Sequence, residues 1–356
     1  LVSPRSRAEL ADMLDRINPL AKVVSRTLKR DVQEFRVERV VRLLSVPLTA
    51  VERAYYDKVT EAVADMCDME DMSIGFQLTI PQRQMVSSMV AACGGWEAKL
   101  KESIEAARIE TFDETVEELG LEDAIDELND QLPEKKELSS LMKTLLRISS
   151  EEGNIDQLTQ FDSKYSVLIR NLQEYWQLHP DKKVVLFSFY RNTLYYLRDK
   201  LTAAGIDVVV LHGGMDKQEV IHAFEAPSGP KILLSTEVAS EGVDLQFSSL
   251  LVNYDLPWNP AKIEQRIGRI DRIGQKEDRI LIWNLVLADT IDSRVYELLF
   301  QRLNIFQRAL GSMEVVLGDV IKQLTFELLS HKLSTQEQEA RISNAAIVLE
   351  RQDMEQ

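Results

Sequence analysis

Cysteine and histidine are scarce: the chain holds two cysteines, Cys67 and Cys93, and four histidines. No Cys-x-x-Cys pair and no His/Cys ligand spacing occurs, which argues against structural zinc. Such cysteine usage points to a reducing, intracellular setting, the cytoplasm by default. No run of about 18 apolar residues is present, so no membrane span or membrane partner is expected. The opening Leu-Val-Ser-Pro-Arg lacks the basic and apolar regions of a signal peptide, and the missing initiator Met suggests part of a longer chain. Two further absences concern chemistry. Gly94-Gly95 is followed by Trp96-Glu97 and Gly213-Gly214 by Met215-Asp216, so no Gly-x-x-x-x-Gly-Lys-Ser/Thr loop cradles a phosphate. An Asp-Glu-x-His run, the acidic Mg²⁺ site of many nucleotide hydrolases, is also missing.

What remains is a chain of 356 residues and 40.7 kDa, enough for two or three domains. Its hydrophobic share of 45% and charged share of 28% suit a soluble globular protein. The net charge of −16 argues at first sight against nucleic acid. It is unevenly spread, however: residues 97–134 carry 14 acidic side chains against three basic ones, and residues 1–42 carry ten basic against six acidic. Local fields of this kind, not the global sign, bear on partners.

The first 150 residues read as mostly helical. Leu10, Met13 and Leu14 recur at helical spacing over 6–16, as do Val51, Tyr55, Val59 and Val63 over 49–63. Residues 38–47 differ, with strand-like Val40, Val41, Leu43, Leu44 and Val46 closed by Pro47. Gly94-Gly95 marks a break. Residues 96–130 read as one or two acidic amphipathic helices, interrupted near Gly120 and ended by Pro133. From Asp181 strands alternate with helices. Strands are expected at 184–188, 208–211, 232–235, 250–253 and 280–287, and helices at 193–204, stopped by Gly205, and 217–224. This alternation implies right-handed crossovers and a parallel α/β sheet covered on both faces, with ligands at the strands' C-terminal ends. Thr290 can cap a further helix with Val295, Leu298, Leu299, Leu303, Phe306 and Leu310 as its core stripe, and a helical tail follows.

The densest chemical signal is Gln265-Arg266-Ile267-Gly268-Arg269-Ile270-Asp271-Arg272-Ile273-Gly274-Gln275. Three arginines are spaced by three, and on a helix Arg269 and Arg272 would share a face. Two planar donor forks on one face suit an anion, above all a phosphoryl group whose charge grows in a transition state.

Gln265-x-x-x-Arg269-x-x-Arg272-Ile273-Gly274-Gln275 resembles motif VI of the Swi/Snf-type ATPases in the second helicase superfamily. Arg266 and Gly268 are similar to the bacterial branch typified by the RNA-polymerase-associated ATPase. Upstream, 187–194 resembles motif IV, Leu211-His212-Gly213-Gly214-Met215 motif IVa, and 235–246 motif V; the run 253–260 leads into motif VI. The likeness covers about 160–310. A weaker one extends to Arg26-Thr27-Leu28-Lys29-Arg30-Asp31-Val32, which follows motif III in the family but has Thr27 at the second arginine. Pro47-Leu48-Thr49 with Tyr55-Tyr56, and Asp162-Ser163-Lys164, also fit the family.

The resemblance implies that Arg269 and Arg272 are arginine fingers reaching ATP, with Mg²⁺, held mainly by a first lobe. It places Gly242, Asp244 and Gln265 near the nucleotide. Arg191, Asn192, His212, Gly213, Ser235, Thr236 and Ser240 become contacts to a nucleic-acid backbone, a role suited to small residues in strand-end loops. Two residues keep a second reading: His212 as a loop histidine satisfied by its neighbours, and Asp244 as the cap of a helix.

The fold expected is therefore a RecA-like parallel sheet, preceded by a largely helical region and followed by a helical tail. The boundaries are 1–95 for the end of a first lobe and a connector, 96–160 for an acidic protrusion, 161–310 for the second lobe and 311–356 for the tail. The implied function is the C-terminal half of a double-stranded-DNA translocase, inactive alone, whose partners are DNA, the N-terminal RecA-like lobe, and RNA polymerase or defence-system proteins. A non-catalytic interaction module docking through the acidic helices is one alternative, and a helicase unwinding RNA or DNA is another.

Overall fold

The structure is a computed structural model that describes residues 37–70, 74–98, 135–151, 154–213, 215–236, 242–257, 260–272 and 275–290, with scattered positions from 292 to 348. Its centre is a six-stranded, all-parallel sheet in the order β1-β6-β5-β2-β4-β3. The strands are β1 (Glu38–Val46), β2 (Val184–Phe187), β3 (Val208–Leu211), β4 (Ile232–Ser235), β5 (Leu250–Asn253) and β6 (Arg279–Leu287). All five strands expected downstream of Asp181 are present.

Strands β2, β4 and β5 are buried at every position, as a sheet covered on both faces requires. Successive side chains point to opposite faces. Val185, Phe187, Leu233, Leu251 and Ile282 enter one core, which takes in helices α1 (Ala50–Glu70), α2 (Ile74–Ser87), α3 (Met89–Ala98), α4 (Lys135–Ser149), α5 (Asn154–Gln160), α8 (Lys217–Glu225) and α9 (Pro260–Ile267). Val184, Leu186, Leu234, Val252 and Trp283 enter the other, beneath α6 (Ser163–Leu178) and α7 (Arg191–Ala203). The architecture is RecA-like, with a helical region between β1 and β2 in sequence.

Three expectations are corrected. Strand β1 does not belong to a preceding lobe: Glu38 to Val46 pair in register with Arg279 to Leu287, making β1 the edge of this sheet. Its alternation buries Leu44 and Val46, and those positions find a sheet only beside β6. The 96–160 region is not a protrusion throughout, because Leu141, Met142, Leu145 and Leu158 are buried in the first core. Nor do Gly94-Gly95 break a helix; they lie inside α3. A Cβ on Gly95 would fall 2.5 Å from Asn192 Nδ2, so the glycine lets α3 close on α7.

Local chemistry fixes the joints. Thr49 and Glu52 form a capping box at the start of α1: Glu52 Oε2 accepts from Thr49 N and Oγ1, and Glu52 N donates to Thr49 Oγ1. Glu52 Oε1 also accepts from Ser163 N and Oγ, tying α1 to α6. Asp162 caps α6 through Tyr165 N and takes the Tyr196 hydroxyl on its other oxygen. Gly205, at φ +76°, ends α7 as expected. The Thr290 hydroxyl donates to Leu287 O, and most of the helix it is expected to cap lies outside the described residues. The helices expected over 6–16 and 96–130, the stripe of 295–310 and the basic run 26–32 lie outside the described residues, as does most of the tail.

Candidate functional site: the finger segment and the strand-end loops

The expected shared helical face for Arg269 and Arg272 is corrected, because α9 stops at Ile267. After it the chain tightens into turns: Arg269 N donates to Arg266 O at 3.1 Å, Ile270 N to Ile267 O at 3.0 Å, and Arg272 N to Ile270 O at 3.0 Å. The Arg269 carbonyl accepts from Leu245 N at 3.0 Å, which binds the motif VI segment to the end of motif V.

The three arginines have different surroundings. Arg266 is buried at 1% exposure. Its NH1 donates to Asn253 Oδ1 at 3.1 Å and to Asp255 O at 2.9 Å, and its guanidinium lies 5.5 Å from the Phe187 ring centroid. It is a tie between α9 and the end of β5. Arg269 and Arg272 are half-buried. Arg272 Nε donates to Gly268 O at 3.2 Å, leaving the far end of its fork for another acceptor. Gln265 is exposed on α9. Beyond the turn, Gln275 Nε2 donates to Ser248 O and Ile270 O, both at 3.1 Å, so the closing glutamine of the motif is an anchor.

Asp271, between the two arginines, is gripped from β1. Arg39 Nε donates to Asp271 Oδ2 at 2.9 Å, and its NH1 and NH2 donate to Glu264 Oε1 and Oε2 at 2.7 and 3.2 Å. Burial would lower the Arg39 pKa, but Glu264 and Asp271 outweigh it and hold the guanidinium above its ordinary value. Asp244 is exposed and accepts from Gln246 N at 3.2 Å, the behaviour of a turn cap. Gly242 is exposed at φ +76°, a conformation that favours glycine.

The expected nucleic-acid residues gather elsewhere, where β2, β3 and β4 end. Arg191 and Asn192 open α7, whose N-cap residue Tyr190 makes no side-chain cap, so the first N–H groups of the helix are not taken by it. A Cβ on Gly213 would lie 3.5 Å from Arg191 NH2, so motifs IV and IVa meet there. His212 Nδ1 lies 2.9 Å from Gly213 O and Nε2 lies 2.6 Å from the Tyr195 hydroxyl. The carbonyl requires a donor, so Nδ1 carries the proton and Nε2 accepts from Tyr195. Both nitrogens are engaged, as the satisfied-histidine reading has it.

Ser235 is corrected as a contact: its hydroxyl is fully buried and donates to Thr236 O at 2.8 Å. Thr236 is nearly buried, with its N–H on Leu211 O. Ser240 lies outside the described residues. The structure thus sorts the expected residues into two groups. Arg269, Arg272 and Asp244 sit where β5 and β6 begin, while Arg191, Asn192, His212, Gly213 and Thr236 sit where β2, β3 and β4 end.

The helicase conserved C-terminal domain family matches residues 163–274, a stretch that runs from α6 to the end of the finger segment. This stretch is similar to helicase C-terminal domains. The uncharacterized ATP-dependent helicase YqhH of Bacillus subtilis (strain 168) is 32% identical over 169 residues, covering 46% of this chain and 30% of that protein. The chain therefore spans less than a third of that relative's length. Among solved structures, the C-terminal part of the Fun30 ATPase domain is 17% identical with a TM-score of 0.45, covering 84% of this chain and 100% of that one. The Sulfolobus solfataricus SWI2/SNF2 ATPase core in complex with dsDNA is 16% identical with a TM-score of 0.45, covering 91% and 56%.

The same lobe holds a buried polar hub that the sequence did not reveal. Asp255, after β5, accepts from Ser87 Oγ at 2.7 Å, Ser188 Oγ at 2.6 Å and Phe189 N at 3.0 Å. Arg83 of α2 pairs with Asp292 and donates to Leu256 O. Lys164 of α6 donates to Val86 O and Ser87 O, capping the carbonyl end of α2. Burial pushes the Lys164 ammonium down to about 8; Asp255, Asp292 and Asp162 pull it upward, and Arg83 pushes it lower. Only proximity in three dimensions joins these residues, which lie on α2, α6, β2, β5 and β6 connections far apart in sequence. Among the described residues no group of three or more His, Cys, Asp or Glu is placed to hold a metal ion, and no helix is long and apolar enough to cross a membrane.

Proposed function

We propose that this lobe is the second RecA-like half of a Swi/Snf-type, ATP-dependent double-stranded-DNA translocase, with Arg269 and Arg272 as its arginine fingers. The observation that carries the reading is the backbone bond from Leu245 N to Arg269 O, which holds the arginine segment against the motif V connection within the stretch similar to helicase C-terminal domains. The fork of Arg272, bonded through Nε alone to Gly268 O, keeps two terminal nitrogens for phosphate oxygens.

In this reading ATP and its Mg²⁺ are held mainly by the N-terminal lobe, and Arg269 and Arg272 bring positive charge to the γ-phosphate when the lobes close. Arg191, Asn192 and the Gly213 backbone face the DNA phosphates, a contact that tracks the backbone without reading bases. Repeated closure then steps the lobes along one strand.

The test is Arg272→Ala in the protein that carries both lobes. DNA-stimulated ATP turnover falls by about 10³-fold or more, while the thermal midpoint stays put because Arg272 makes one described hydrogen bond. Near-normal turnover would refute the assignment. A strand-displacement assay beside a translocation assay separates this reading from that of an unwinding helicase.

A further inference from the structure

We propose that Arg39, on the edge strand β1, is a positioning residue that braces the finger segment for nucleotide contact. The inference rests on the finger reading of Arg269 and Arg272. With α9 ended at Ile267, no helix carries these two side chains into place. Their segment is held by the Leu245 bond, by its own turns, and by Asp271.

Arg39 is suited to the task for three reasons. One planar guanidinium reaches both sides of the helix end: Glu264 in the last turn of α9, at 2.7 Å, and Asp271 in the segment that leaves it, at 2.8 Å. Its backbone cannot drift, because β1 is paired with β6 over its whole length and Arg39 stands opposite Ile280. The three side chains are 10%, 15% and 6% exposed, so solvent and salt screen the contact weakly. Asp271 is also the immediate neighbour of Arg272. A carboxylate that lost the Arg39 cation would compete with phosphate for the finger beside it. Arg39 therefore both orients the segment and keeps its acidic residue engaged.

The test measures DNA-stimulated ATP turnover in the protein that carries both lobes, with Arg272→Ala as reference. Arg39→Gln is expected to lower kcat by about tenfold or more, the scale of a small misplacement of a reacting group. The KM for ATP and the Kd for duplex DNA stay within about twofold, since ground-state binding does not use the brace. Arg39→Lys, a point charge without the fork, falls between Arg39→Gln and the parent. Arg39→Gln/Asp271→Asn regains part of the lost kcat, because the competing carboxylate is gone. A parent-like kcat in Arg39→Gln with Arg272→Ala inactive overturns the brace and spares the fingers. Parent-like turnover in Arg272→Ala overturns the finger reading and the brace with it. Should Arg39→Gln not fold, Arg39→Lys decides, and a parent-like kcat there overturns the proposal. A lowered thermal midpoint with unchanged kcat per folded molecule also overturns it, since that is what a purely structural role produces.

Discussion

Replacing Arg266 by methionine separates the structural arginine of the motif from its two neighbours. Methionine keeps the apolar stem and removes the guanidinium, so the change deletes the charge and its bonds while preserving much of the packing. Two described hydrogen bonds disappear, to Asn253 Oδ1 at 3.1 Å and Asp255 O at 2.9 Å, together with the ion pair to Asp255 Oδ1 at 3.7 Å and the cation's seat 5.5 Å from the Phe187 ring centroid. A hydrogen bond to a charged group is worth about 1.5–3 kcal/mol, and a desolvated cation–π contact about 2. Against these stands the cost of keeping a cation at 1% exposure, which methionine avoids. Asp255 keeps Ser87, Ser188 and Phe189 as donors, so its carboxylate is not stranded. Breaking one side of a buried ionic contact costs about 3–5 kcal/mol, and the retained donors place this case at the low end, near 3. Urea unfolding of the chain, followed by tryptophan fluorescence, reads the loss directly. Arg272→Met, which removes one described bond at a half-buried site, should change stability by less than about 1 kcal/mol. If Arg266→Met unfolds with the parent, or if Arg272→Met falls as far, the division of the motif into tie and fingers is wrong.

Two further outcomes follow from the buried polar contacts. Lys164 has a folded pKa pushed by burial from 10.5 to about 8. The unfolded chain binds the extra proton between those values, so stability from this group is least below pH 8 and rises with pH toward 10.5. At 1.36 kcal/mol per unit the full span is about 3 kcal/mol. Urea midpoints from pH 7 to 9.5 should climb for the parent relative to Lys164→Met. That range stops short of Tyr254, whose raised pKa acts in the opposite direction once unfolded tyrosine ionises. A constant difference between the two proteins across it contradicts a buried, depressed lysine. Glu52 accepts four hydrogen bonds, from Thr49 N and Oγ1 and from Ser163 N and Oγ, at 2.7–3.0 Å. Glu52→Ala should therefore cost about 3 kcal/mol, read as a shifted urea midpoint, with a parent-like midpoint refuting its role as the joint of α1 and α6.

Much of the lobe could be read directly from the residues. The apolar runs of β2, β4 and β5 announced a sheet buried on both faces, and Gly205 marked the end of α7 because its positive φ is a local requirement. Two of the misreadings depend on a partner distant in sequence. Gly95 looks like a helix break until Asn192 is seen occupying the space a Cβ would take. Leu44 and Val46 give β1 its alternation but do not say that β6, more than 200 residues later, is the strand beside it. Ser235 has the small hydroxyl expected of a phosphate contact, yet its strand-end position buries that hydroxyl against Thr236 O. The arginine spacing suggested equivalence because periodicity carries no information about where a helix stops.

That stop gives the motif its logic. The Arg269 carbonyl is the acceptor that joins motif V to motif VI through Leu245 N, and a helix carried on past Arg272 would claim it for its own ladder. Ending at Ile267 instead frees that carbonyl, buries Arg266 as the peg, and turns the next residues outward under the hold of Asp271 and Gln275. The same connection that ends at Leu245 starts from Thr236, whose N–H bonds Leu211 O beside His212. One stretch of chain is therefore anchored at both edges of the sheet, at the arginine segment where β5 and β6 begin and at the loops where β3 and β4 end. In the proposed translocase, the finger segment and the loops that would face DNA are thus each tied by a backbone bond, at Leu245 and at Thr236, rather than by side-chain contacts that could slip.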